Sequence, residues 1–136
     1  MKKILEAQKD ADGIIFLGDG EKDLAALPPE NAACLYQVRG NCDRESSEAA
    51  VLIKEIAGVR FCITHGNEQG VKYGLAKLAA FAKEKGCNAA LFGHTHRAHL
   101  SKEDGVFLFN PGSAADGNYG VILKDGENLD FVHLTV

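Results

Sequence analysis

Four short apolar runs in this chain end alike, in glycine and a side chain able to bind a metal. Ile14-Ile15-Phe16-Leu17 runs into Gly18-Asp19, and Leu35-Tyr36-Gln37-Val38 into Gly40-Asn41. Val59 to Thr64 runs into His65-Gly66, and Ala89-Ala90-Leu91-Phe92 into Gly93-His94-Thr95-His96. Runs this short, closed by turn residues, read as buried strands. The repeated ending predicts that four strands deliver an Asp, an Asn and three His to one edge of a sheet. Beyond the carboxyl ends of parallel strands is where open α/β folds place their chemistry.

The rest of the chain fits that frame. Residues 2–10 read as a helix end without a capped beginning. Residues 18–30 read as a loop with a short helical piece, stopped by Pro28-Pro29. The second strand is expected at about 33–38, followed by a polar loop over 39–48. Ala57-Gly58 signals a hairpin between residues 50–56 and 59–64. Val71, Leu75, Leu78, Ala79 and Ala82 recur at helical spacing, predicting one helix over 70–85 with Gly86 as its C-cap. After the strand at 88–92, the runs 98–101, 106–109, 119–123 and 129–134 predict an antiparallel meander. The whole is a mixed α/β fold in one domain.

The 136 residues are enough to bury a core, and 46% hydrophobic with 25% charged is ordinary for a globular protein. A formal net charge of −4, without a Lys/Arg stripe, argues against a nucleic-acid partner. No apolar stretch is long enough to span a membrane. Cys34, Cys42, Cys62 and Cys87 form no C-x-x-C pair, and three of them read as small buried hydrophobes. Cys42 follows Asn41 in a site loop, but no second Cys is spaced to join it as a ligand. Reduced thiols with no signal peptide point to the cytoplasm.

Imidazole with Asp and Asn oxygens is a borderline donor set, suited to zinc, manganese, iron, cobalt or nickel. With Asp19 as a bridge, such a set can hold two metals that activate a water against phosphorus. No other catalytic device stands out. Ser46-Ser47 and Ser113 lack the flanks of a nucleophile elbow, and there is no Gly-rich phosphate loop. His99 and His133 lie in strands and read as backbone-bonded histidines. Phe109-Asn110-Pro111-Gly112-Ser113 reads as a rigid loop approaching the same edge.

Leu17-Gly18-Asp19-Gly20, Val38-Arg39-Gly40-Asn41-Cys42-Asp43, Thr64-His65-Gly66, Gly93-His94-Thr95-His96 and Asn110-Pro111-Gly112-Ser113 occur in the order seen in calcineurin-like metallophosphoesterases. The chain resembles the small bacterial and archaeal phosphodiesterase branch over essentially its whole length. The resemblance implies a β-sandwich of mixed sheets flanked by helices, hydrolysing a small phosphoester. It implies two divalent transition metals (Mn, Zn, Fe or Ni). Asp19 would bridge them, Asn41, His65 and His94 would complete one site, and His96 would serve the other. Asn41 and His65 are also the expected catalytic residues.

The chain departs from that pattern at its start. The family opens with a strand ending in Asp-x-His, and no such motif is present here. The expectation is therefore a chain lacking roughly 20 N-terminal residues, with the first strand missing. It would keep one metal site, show weak turnover and pair with other copies through an exposed edge. Asn67 stands where relatives often carry a second His. The alternative reading is a scaffold, since the superfamily includes a retromer subunit that serves as a binding platform. Arg39, Arg44 and Arg97 flank the ligands and are candidates for phosphate contact.

Overall fold

The computed structural model describes residues 2–19, 34–43 and 46–136. The helix and loop expected within 20–33, and Arg44, lie outside these residues. Among the described residues are helix α1 (Lys2–Ala7) and strands β1 (Ile14–Phe16), β2 (Leu35–Gln37), β3 (Val51–Ile56) and β4 (Val59–Thr64). Helix α2 (Ala76–Glu84) and strands β5 (Ala89–Leu91), β6 (His99–Glu103), β7 (Val106–Asn110), β8 (Asn118–Asp125) and β9 (Asn128–Thr135) follow. No helix among them is long and apolar enough to cross a membrane.

A five-stranded sheet of order β3-β4-β5-β7-β6 lies at the centre. Its outer pairs are antiparallel hairpins, whereas β4, β5 and β7 run parallel. The parallel step from β4 to β5 needs a crossover, and the segment containing α2 supplies it. Side chains alternate between two faces. Cys62, Ala90, Phe92, Val106 and Leu108 face α2, through Leu78, Ala79 and Ala82. Phe61, Ile63, Ala89, Leu91 and Phe109 face the other way, onto β1, β2, β8 and β9. The result is a mixed sandwich with a helix on its outside, as the resemblance implied.

Local chemistry explains most boundaries. Ala57 and Gly58 both take positive φ (53° and 81°), the two-residue turn that suits the right-handed twist of a hairpin. Helix α2 ends in a Schellman cap. Gly86 sits at φ 72°, its N–H bonding Lys83 O at 3.0 Å, while Cys87 N–H reaches Ala82 O at 2.9 Å.

Three expectations are corrected. The helix expected over 70–85 is broken: a 3-10 turn, Val71–Tyr73, is separated from α2 by Gly74 at φ 139°, ψ 166°. Apolar spacing carries across that break because Val71 and Leu78 pack into one cluster. The meander is two hairpins in different sheets, since β7 pairs with β5 while, among the described residues, β8 and β9 pair only with each other. A hairpin signal specifies a partner across the turn, not the sheet that the pair joins. Nor do the four site strands share one sheet, because β1 and β2 form a parallel pair of their own.

Candidate metal centre

Strand pairing brings the two histidine loops together. The parallel register Ile63↔Leu91 sets His65 level with Gly93, and Gly93 N–H continues the ladder to His65 O at 3.0 Å. His94 is the next residue. It holds φ 67° and His96 φ 60°, backbone conformations that non-glycine residues rarely take. Asp19, at φ 60°, is a third. The only other non-glycine positive-φ residues described are Ala57 and Asp104, which stand in hairpin turns. Strain of this kind gathers where a structure must aim particular side chains.

Asp19 arrives from the second sheet. Gly18 (φ 95°) lies so close to the β2 loop that a Cβ there would stand 2.6 Å from Gly40 N. A Cβ on Gly40 would in turn strike the Asp19 carboxylate. The two loops are clamped by Asp43, whose Oδ2 accepts the N–H of Asp19 at 2.7 Å and of Gly40 at 2.9 Å. Cys42 N–H donates to Asp19 Oδ1 at 2.8 Å, leaving Oδ2 facing His65.

Three donor atoms then converge. His65 Nε2 lies 3.2 Å from Asp19 Oδ2 and 3.0 Å from His94 Nδ1. One ligand atom from each of these residues falls within 4.8 Å of the others. His65 is almost fully buried, with its Nδ1 2.8 Å from Leu17 O. A carbonyl only accepts, so Nδ1 carries a proton and Nε2 is the nitrogen turned to the cluster. Two lone-pair atoms 3.2 Å apart need a cation or a proton between them. The donor set of two imidazoles and a carboxylate, with the outer nitrogen of His65 anchored to backbone, fits a divalent transition metal. Burial holds the His94 pKa below its ordinary value of 6.5, and the neighbouring His65, Lys72 and His96 add to that against Asp19. Its imidazole is thus neutral, the form that binds metal.

The remaining expected residues sit around this cluster. His96 is exposed on the same loop, outside the three-residue group. Asn41 is also exposed; its Nδ2 contacts Cys42 Sγ at 3.7 Å. Arg39 spends its Nη1 on Glu48 O at 2.8 Å. His133 bonds the Asn110 carbonyl at 2.8 Å, whereas His99 bonds Ser101 Oγ at 2.7 Å rather than backbone.

Two supports were not assigned from the sequence. Asp43 reads there as an ordinary turn residue, and only its clamp reveals its part. Asn110 is fully buried, and its Nδ2 donates to Gly93 O and Thr95 Oγ1, both at 3.1 Å. The rigid loop after β7 was the signal for it.

Fold and cluster together define a helix-flanked sandwich with histidine and carboxylate donors at the carboxyl ends of its parallel strands. The sequence model of the calcineurin-like phosphoesterase superfamily domain matches residues 1–125, and the chain belongs to that superfamily. It is 30% identical over 106 residues to the probable metallophosphoesterase YsnB of Bacillus subtilis (strain 168). That match covers 78% of this chain but only 61% of the relative's length. Among solved structures, a predicted phosphoesterase from Streptococcus pneumoniae TIGR4 superposes with TM-score 0.81 at 22% identity, covering 98% of this chain and 80% of that one. Vps29 from Chaetomium thermophilum superposes with TM-score 0.77 at 18% identity, covering 99% and 86%. Likeness at these identities speaks for the fold alone.

Proposed function

We propose that this protein hydrolyses a small phosphoester by a metal-activated water. The observation that carries the reading is the convergence of Asp19 Oδ2, His65 Nε2 and His94 Nδ1 at the ends of strands from two sheets. A divalent metal bound there supplies Lewis acidity, which makes water a nucleophile near neutral pH and offsets charge building on the phosphoryl oxygens. The chain's own part is to hold the donors. Leu17 O sets the tautomer of His65, Cys42 N–H and the Asp43 clamp orient Asp19, and Asn110 fixes the loop of His94. Asn41, exposed at the lip, offers a neutral amide to a phosphate oxygen. His96 is the candidate ligand for a second metal.

The scaffold reading shares its fold with Vps29. The convergence of Asp19, His65 and His94 donors supports the enzyme reading. The test is manganese-dependent hydrolysis of bis(p-nitrophenyl) phosphate, with metal content measured alongside. Activity should vanish with EDTA and return with manganese. His94→Ala should lower metal affinity at least about 100-fold, and His96→Ala should do so much less. Hydrolysis that survives chelation, or His94→Ala protein that binds metal like wild type, overturns the reading.

A further inference from the structure

The chain turns sharply as it leaves His65. Gly66 takes φ 105° and lies so near Val71 that a Cβ there would stand 2.8 Å from its side chain. The Val71 N–H returns to Gly66 O at 3.3 Å, closing residues 66–71 into a small ring. Thr64, which precedes His65, and Gln69, within the ring, are both buried. Their side chains meet, with Thr64 Oγ1 3.0 Å from Gln69 Oε1.

The Thr64 hydroxyl makes three contacts. It accepts the Gly66 N–H at 3.3 Å, and its one hydrogen serves Gln69 Oε1 at 3.0 Å or Ala50 O at 3.3 Å. The contact from Thr64 to Gly66 straddles His65, so it fixes the backbone from which the imidazole projects. Ala50 belongs to the segment entering β3, and its neighbour Ala49 accepts the Arg39 N–H at 3.0 Å. Arg39 directly precedes Gly40, which the Asp43 clamp holds beside Asp19. The hydroxyl thus ties the His65 turn to the same short segment that anchors the Asp19 side of the cluster. Burial alone does not call for it, since valine has the shape of threonine without the polar group.

We infer that Thr64 and Gln69 are positioning residues for His65. The Thr64 hydroxyl sets the backbone on both sides of His65, and Gln69 holds that hydroxyl from within the ring. Each acts through His65, keeping its Nε2 where it meets Asp19 Oδ2 and His94 Nδ1.

This inference rests on the phosphoesterase reading, so its test does not depend on turnover. Thr64→Val and Gln69→Met keep the volume and lose the bonds, whereas Thr64→Ser keeps the hydroxyl. Each full-length variant is titrated calorimetrically with manganese at a temperature where circular dichroism shows it folded. Thr64→Val should bind about tenfold more weakly and Gln69→Met about fivefold, with Thr64→Ser within about twofold of wild type. A merely structural role would lower thermal midpoints and leave the affinity of the folded protein alone. A second measurement needs no metal. In the metal-free protein the His65 Nδ1–H, held by Leu17 O, should exchange with water faster in Thr64→Val and Gln69→Met than in wild type or Thr64→Ser. Wild-type affinity in Thr64→Val and Gln69→Met, equal losses in Thr64→Val and Thr64→Ser, or one exchange rate throughout overturns the inference. If wild type takes up no manganese, the exchange rates decide, and if Thr64→Val does not fold, Gln69→Met decides. Hydrolysis of the chromogenic diester, measured in parallel, shows separately whether the phosphoesterase reading stands.

Discussion

His65 donates its Nδ1–H to the carbonyl of Leu17, 48 positions earlier in the chain and just past the end of β1, a strand of a different sheet. That one bond fixes which nitrogen faces the cluster. It also ties the loop carrying Asp19 to the loop carrying His65, so closure of the sandwich and assembly of the donors are the same event.

Gly40→Ala should therefore uncouple fold from site. The added methyl would collide with the Asp19 carboxylate and its backbone nitrogen. The β2 loop must shift, breaking the Asp43 clamp. We expect metal affinity to fall at least tenfold, with about 1–3 kcal/mol lost in stability. Isothermal titration with manganese and urea unfolding measure both.

Asn110→Ala tests the support of the His94 loop. Asn110 is fully buried, and its side chain serves Gly93 O, Thr95 Oγ1 and Gly112 N–H. Removing it leaves three part-buried polar groups without this partner. A loss of about 2–3 kcal/mol in urea unfolding is expected, with weaker metal binding. An unchanged midpoint would show that the loop holds itself.

Acid should weaken both the metal site and the fold. With its pKa lowered by burial, chiefly, and by His65, Lys72 and His96, folded His94 binds fewer protons than the unfolded chain as pH falls through 6.5. Stability linked to it is present above that pH and is lost as pH falls through the lower, folded value. Metal-free protein should show a falling thermal midpoint across this range, and His94→Ala should flatten that dependence.

Thiol chemistry should divide the cysteines in two. Burial, with Cys87 nearby, pushes Cys62 up to about 12, and burial likewise raises Cys87. At pH 8 only roughly one Cys62 in ten thousand is thiolate, and thiolate is the reactive form. Cys42 is exposed, and so is Cys34, against the expectation of a buried thiol there. Ellman's reagent should label two thiols in native protein and four in guanidinium. Rapid labelling of all four without denaturant would contradict the packing of Cys62 beneath α2.

The strands, the Ala57-Gly58 turn and the Gly86 cap were legible because each depends on neighbours in sequence. Period-2 alternation marks a two-faced strand, and positive φ selects glycine wherever it occurs. The order of Asp19, Asn41, His65, His94 and His96 carried the family resemblance for the same reason. The break at Gly74 was not legible, because Val71 and Leu78 reach one core from either side of it.

By itself, then, the sequence determined which segments are strands and which side chains stand at their ends. Tertiary structure alone decided that β1 and β4 belong to different sheets. It alone closed Asp43 over Asp19 and Gly40, and seated Asn110 beneath Gly93. Those outcomes depend on pairings between segments dozens of residues apart. Such pairings are decided by which apolar faces bury one another and which buried polar atoms find a partner, and neither is written in local order.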